Sequence, residues 1–321
     1  MGPAHSVNEE LLGSLPLPLA QIYLRACNAK TAVERHNAAY YLWECALKLL
    51  VVVSLAECAS RNVLSREVRE RLIILDRPSV GHWWELVRLL VPIVADDDPA
   101  FRQVRDLVLG RGRDDMPRAA GLNAVLQEEL GHGKSVGTTV QMTELFQSLV
   151  TYRNRELGHG AAAQKSESHY RRVGNAMLGG LVEILSRVDF LAGRNLMFVS
   201  DVRMTSVGSW VIDRFSMVGS NLRRLNPVEI APRDAGCLPR PSMVYVQRAS
   251  TSEDVSSAEV AAPLVGLHPM VLLEPDSMEV FFWNQRRPND HTDHLCYTSG
   301  RIISRTDLGD DFRRLLTGLP A

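Results

Sequence analysis

The segment LVEILSRVDFLAGRNLMFVSDVR, Leu181–Arg203, decides how this chain is read. Its first part closes a helical run that begins at His169, whereas its second part, NLMFVSDVR, places apolar residues in short alternation, the pattern of a half-buried strand. The change of texture near Leu191 divides the sequence into a helical part and a mainly β part. The fold class expected is therefore α+β, with residues 1–16 flexible, 17–191 helical and 192–321 mainly β, closed by a short helix in DLGDDFRRLLTGL.

Working outward toward the N-terminus, Thr31 with Glu34 three residues later has the arrangement of a capping box, and a long helix is predicted from Ala32 to Ser60. Its second half is apolar on most sides, which places it centrally. Further helices are predicted over Ser65–Leu75, Val80–Val94, Pro99–Leu109, Pro117–Leu130, Thr139–Leu157 and His169–Val188, separated by Gly-, Pro- and Asp-rich linkers. In the other direction SWVIDRF, SMVYVQR, MVLLE, MEVFFWN and HLCYTSG repeat the alternation between turn residues, and Ala249–Ala262, rich in Ser, Glu and Ala, reads as a loop.

A chain of 321 residues with 45% hydrophobic and 23% charged residues has enough apolar surface for more than one core, so wholesale disorder is excluded. The net charge of -1 argues against holding nucleic acid by bulk positive charge, because that mode needs many phosphates neutralised; any polyanion contact must be local. The five cysteines form no CxxC pair and fit free thiols in a reducing cytoplasm. The most apolar run, Ala46–Ala56, contains Lys48 and falls well short of the roughly 20 residues needed to cross a bilayer, so no membrane association is expected. The start MGPAHS formally fits a myristoylation pattern, but the pattern is loose and lipidation is not expected.

Several local patterns invite chemistry. GHGKS, Gly131–Ser135, suggests a phosphate loop, but Glu128 stands where the pattern needs glycine and no strand precedes it. HTDHLC, His291–Cys296, offers zinc-type ligands without a CxxC pair or helical HxxxH spacing; a hairpin tip entering a half-buried strand explains it better, with His294 and Cys296 on one face and Asp293 on the other, and no metal or cofactor is expected. His82, Trp83 and Trp84 read as a core anchor at a helix start. On the long helix His36, Tyr40 and Glu44 fall at i, i+4 and i+8 as a polar strip, which serves either as support for a site or as the wetter face where the helix leaves the core; surface-exposure trends favour the latter.

TYRNRELGHGA, Thr151–Ala161, carries more. It ends an amphipathic run whose stripe is Leu145, Phe146, Leu149, Val150 and Leu157, and it brings Arg153, Asn154, Arg155 and His159 within about two turns. Gly158 and Gly160 mark a cap or kink, so a helix C-terminus with cations set against its dipole accounts for the same residues. ELGHG also occurs at Glu129–Gly133, so those five residues are not informative by themselves. Around the second copy Arg153, Arg155, Lys165, Arg171 and Arg172 outnumber Glu156 and Glu167, a local positive field suited to a limited phosphate contact.

An arginine, a polar residue and a histidine a few positions on, late in a helical bundle, resembles the signature of the HEPN superfamily; here these are Arg153, Asn154 and His159. The helices ERHNAAYYLWECALKLLVVV and HYRRVGNAMLGGLVEILSRV also look like HEPN bundle helices, and the resemblance covers about Ala32–Val188. It implies a HEPN-like bundle that dimerises and cleaves RNA without a metal, or a degenerate relative that binds nucleic acid, in a bacterial defence or toxin-type setting. In that reading His159 moves protons, Arg153 clamps the phosphate, Asn154 orients, Arg155, Arg171 and Arg172 contact substrate, and His36, Tyr40 and Glu44 support the site. The rival reading is a non-enzymatic adaptor that dimerises through the helical part and recruits a protein partner through the β part.

Overall fold

The computed structural model describes residues 6–110, 112–133, 139–156, 165–187, 189–231, 238–248 and 264–317. Its helices are α1 (Glu9–Ser14), α2 (Leu17–Cys27), α3 (Ala32–Ser60), α4 (Arg66–Arg71), α5 (Val80–Asp97), α6 (Pro99–Val108), α7 (Pro117–Glu129), α8 (Met142–Glu156), α9 (Glu167–Leu185) and α10 (Gly309–Thr317). Its strands are β1 (Arg194–Met204), β2 (Trp210–Ser216), β3 (Arg223–Arg224), β4 (Val228–Ile230), β5 (Met243–Arg248), β6 (Leu264–Gly266), β7 (Val271–Glu274), β8 (Glu279–Arg286), β9 (Thr292–Cys296) and β10 (Ile302–Arg305). The fold is α+β, with the helices concentrated before Leu191 and the strands after it.

Local chemistry accounts for the helix starts. The Glu34 amide donates to Thr31 Oγ1 at 3.1 Å while the Thr31 amide donates to Glu34 Oε2, the reciprocal pair that opens α3. Ser79 and His82 repeat the arrangement at α5, with the ring of His82 accepting from the Ser79 amide. Trp83 and Trp84 are buried immediately behind that cap, as expected of an anchor. Asp98 accepts from Ala100 and Phe101 at the start of α6, with Pro99 in the first turn where its missing N–H costs nothing. The residues expected to be flexible up to position 16 include α1, whose Leu11 and Leu12 are buried.

The chain forms two compact units. The first comprises Met1–Leu12, Gln21–Val51 and Pro78–Ala192; the second comprises Gly13–Ala20, Val52–Arg77 and Gly193–Ala321. The last change of unit falls between Ala192 and Gly193. Membership of two helical stretches in the β-rich unit was not foreseen, since their apolar pattern is the same as that of their neighbours.

In the helical unit, α9 packs closely because it carries small residues at its contacts. A Cβ on Gly174 would stand 3.0 Å from the backbone of His36, and one on Gly180 would meet Leu122 at 2.9 Å. Trp43, Trp83, Trp84, Phe101 and Tyr152 are among the largest fully buried side chains there.

The second unit holds two antiparallel sheets, one ordered β3-β2-β1-β5-β6 with β4 also on β2, the other β10-β9-β8-β7. Its helical stretches are bonded to the strands. The Leu17 amide donates to Met217, Glu57 forms a buried ion pair with Arg194, and Trp283 Nε1 donates to the Leu75 carbonyl at 2.7 Å while its ring stacks on Phe312 at 3.9 Å. Strand β9 is buried on both faces rather than half-buried: Thr292, Asp293 and His294 have no exposed surface. Burial would raise Asp293, but hydrogen bonds from Ser304 and Gln285 and the Arg287 guanidinium hold its carboxyl below the usual range. The loop expected over Ala249–Ala262, and the starting residues MGPAH, lie outside the described residues.

Candidate active site

The long helix brings its polar strip into the bundle. His36 and Tyr40 are 0% and 1% exposed, which corrects the expectation that this strip faces water. The same i+4 spacing continues to Lys48, 2% exposed, which in the sequence marks only a charge within an apolar run. Four polar side chains therefore run along one line of α3 inside the helical unit.

Helix α8 meets this line at its last turn, where two consecutive residues are divided between two neighbourhoods. Tyr152 is buried, while Arg153 is half-buried and Asn154 and Arg155 are exposed. Arg153 is close enough to the Tyr40 phenol and to Lys48 to influence the ionisation of both, with Glu44 as the third charge. Burial foremost, then Glu44, pushes Tyr40 well above the ordinary phenol value, and Arg153 acts against them. Burial pulls Lys48 down to about 8, Glu44 and Cys45 support its charge, and Arg153 opposes it. The Lys48 ammonium also lies 5.2 Å from the centroid of the Trp83 ring.

Tyr152 opens the second neighbourhood. Its hydroxyl is 2.9 Å from His36 Nε2 and 3.2 Å from His169 Nε2, and His169 Nδ1 is 3.2 Å from Glu129. Glu129 in turn pairs with Arg172, which also reaches Glu128 at 2.7 Å. Burial lowers the His36 imidazole below its ordinary value, Asn37 opposes the shift, and His169 adds to it. A neutral His36 with Nδ1–H directed at Asn37 Oδ1, 3.1 Å away, leaves Nε2 as an acceptor. Tyr152 then donates to His36, and the contacts of His169 with Tyr152 and Glu129 carry the row on from the buried helix to the carboxylate.

Helix α9 supplies His169 and Arg172 from its first two turns, after Ser166 caps it by accepting from the His169 amide. The two copies of ELGHG are thereby linked through their surroundings. Glu129, the first residue of the first copy, holds His169, and Arg155, just before the second copy, donates to the Leu130 carbonyl at 3.1 Å.

The positive field read from the sequence is largely offset. Arg172 pairs with Glu128 and Glu129, Arg171 with Glu167, and Lys165 with Glu156 at 3.5 Å, so three of the five cations face carboxylates. Glu128 and Glu129 come from a helix distant in sequence, which is why counting charges near the motif missed them. His159 lies outside the described residues, as do Leu157, Gly158 and Gly160, together with Lys134 and Ser135 of GHGKS. Helix α7, not a strand, leads into that GHGKS stretch.

Among the described residues no group of His, Cys, Asp and Glu is arranged to hold a metal ion. No helix among them is long and apolar enough to cross a membrane. No disulfide joins the described cysteines, and Cys27, Cys45, Cys58 and Cys296 are buried. Compared with known proteins, the chain matches no family model, no curated protein and no solved structure.

Proposed function

We propose that the helical unit is a HEPN-like, metal-independent endoribonuclease that works as a homodimer. The observation that carries this reading is the last described turn of α8. Arg153 is held there beside Tyr40, Glu44 and Lys48, while its neighbour Tyr152 is bonded to two histidines, immediately before the sequence that supplies His159.

The residue types suit cleavage through the neighbouring 2′-hydroxyl. A base takes the 2′-OH proton as its oxygen attacks phosphorus, the bond to the 5′-oxygen breaks, an acid returns a proton to that oxygen, and a 2′,3′-cyclic phosphate remains. His159 is assigned to proton transfer, Arg153 to the charge that builds on the phosphoryl oxygens, and Asn154 to orientation. His36, Tyr152 and His169 hold the α3, α8 and α9 segments that present this turn. Arg171 and Arg172 contribute to RNA contact only by exchanging their carboxylate partners for phosphates, so they are secondary to Arg153.

The rival adaptor reading draws on one specific observation, the pairing of Arg171, Arg172 and Lys165 with carboxylates, which leaves less charge for a polyanion. The deciding experiment is cleavage of a mixed-sequence RNA by purified protein in EDTA, comparing the parent with Arg153→Ala and His159→Ala. Loss of at least 100-fold in both variants, on the scale expected for acid–base and electrostatic groups, supports the nuclease. Equal cleavage by all three proteins rejects the site, and absence of cleavage by the parent moves the assignment to the adaptor.

A further inference from the structure

The β-rich unit contains a groove with the dimensions of a ligand site, about 730 Å³, within the 300–1,000 Å³ typical of small-molecule pockets. Every residue lining it belongs to that unit, from Val52–Arg77 or from beyond Gly193. Its floor is apolar and incompletely covered. Met243 and Leu264, from β5 and β6, and Leu238 pack against the buried Val199, Ile212 and Tyr245 but remain half-exposed, and Ala56, Leu64 and Leu315 complete the surface. An apolar floor left half-exposed in a concavity is what an organic ligand body would cover.

The polar groups around that floor are biased in sign. Arg69, Arg240 and Arg314 line the groove with His268, and Asp311 is the single carboxylate among the lining residues. Asp311 faces His268 Nε2 at 2.9 Å and Arg314 at 3.5 Å, and the three lining arginines outnumber this one carboxylate. Arg69 donates to the Leu64 carbonyl at 3.1 Å and to Asn62 Oδ1 at 3.2 Å, which holds the guanidinium at the wall. Tyr245 presents its ring to the groove while its hydroxyl is held by the Arg240 backbone, accepting from the amide at 2.6 Å and donating to the carbonyl at 3.1 Å. The same pair of bonds ties the Arg240 backbone to the wall.

From the groove's size, apolar floor and cationic rim, we infer that it is a binding site for a small amphipathic organic anion, with an apolar body on Met243 and Leu264 and an acidic group among Arg69, Arg240 and Arg314. Planar guanidinium groups suit a carboxylate, sulfonate or phosphate because two parallel N–H donors match two acceptor oxygens. The inference stands independently of the ribonuclease reading, since it uses no residue of the helical unit.

The test uses the full chain and two fluorescent probes of similar shape, the anionic 1-anilinonaphthalene-8-sulfonate and the neutral N-phenyl-1-naphthylamine. The anionic probe is expected to bind at one equivalent to the folded protein. Arg69→Gln with Arg314→Gln, and separately Arg240→Gln, should weaken it at least tenfold while changing the neutral probe less than threefold. Met243→Trp, which fills the floor, should weaken both, and Arg66→Gln on an exposed helix outside the groove should alter neither. Melting curves and far-ultraviolet spectra identify any variant that fails to fold, and the remaining charge variant then decides. Anionic binding without saturation at one equivalent, or binding that none of the groove substitutions changes, overturns the inference, as does an equal loss of both probes in the folded arginine variants.

Discussion

Replacing Lys48 with methionine should make the protein more stable near neutral pH, by an amount that depends on pH in a way only this side chain can produce. Lys48 is almost wholly enclosed, and burial brings it from 10.5 down to about 8. A fall of about 2.5 pH units at ~1.36 kcal/mol each corresponds to roughly 3 kcal/mol of penalty on the charged form. With the folded value lowered, the unfolded chain binds more protons between pH 8 and pH 10.5, so the parent gains stability as pH rises through that window. Below pH 8 both states are protonated and the penalty is fully felt. Lys48→Met carries no such penalty, so its advantage over the parent should shrink by roughly 3 kcal/mol between pH 7 and pH 10.5. The fixed difference between a neutral lysine and a methionine cancels when the two pH values are compared. Urea unfolding of both proteins, followed by the helical signal at several pH values, measures the gap. Stability curves that stay parallel from pH 7 to pH 10.5 would refute the reasoning. A variant that gains stability at pH 7 but loses RNA cleavage would mark Lys48 as a residue kept for function at a cost to the fold.

Three further outcomes are expected. Tyr152→Phe keeps the ring contact with His36, 5.8 Å between centroids, but deprives a buried imidazole of its partner; a cost of about 1–3 kcal/mol should appear as a melting temperature several degrees lower. An unchanged melting point would show that the His36–Tyr152–His169 chain contributes nothing to stability. Gly174→Ala should destabilise by about 1–3 kcal/mol, because the new methyl group would sit 3.0 Å from the His36 backbone and α9 would have to move; Gly179→Ala, with open space around it, is the matched control in a denaturation series. His294 is fully buried and held down to about 4, so its contribution should be complete above the ordinary histidine value of 6.5 and fall away by roughly 3 kcal/mol as pH drops toward 4. A pH titration of unfolding free energy for the parent and His294→Leu should show that slope in the parent alone, whereas equal slopes would assign it elsewhere.

Much of the helical unit could be read in the sequence because its punctuation is local. Thr31 with Glu34, Ser79 with His82, and Asp98 with the amides of Ala100 and Phe101 satisfy helix N–H groups within four residues, and each begins its helix where expected. The strands were recognisable from alternation as well, but their partners were not. Strand β5 pairs with β1 across more than forty residues, and no local pattern encodes that choice. The assignment of Val52–Arg77 to the β-rich unit was hidden for a related reason: Glu57 and Leu75 reveal their allegiance only through Arg194 and Trp283. Within the candidate site Arg153 was singled out by the family resemblance and the α3 strip by its i+4 spacing, whereas Tyr152, His169 and Glu129 were not. Tyr152 looked like one more member of an amphipathic run, and Glu129 lies in a different helix from both His169 and Arg172. Extending the i+4 progression by one further step would have found Lys48, since the signal was present and only the last step was missing.

The shared hydroxyl of Tyr152 has one proton for two imidazoles. An O–H donates to one acceptor at a time, so when Tyr152 donates to one ring its oxygen must accept from the other for both bonds to be made. The two imidazoles therefore cannot choose their tautomers independently: the nitrogen that His36 offers decides which role is left to His169, and the converse holds, with no backbone movement. One phenol thus makes two rings, on helices far apart in the sequence, act as a single hydrogen-bonding unit.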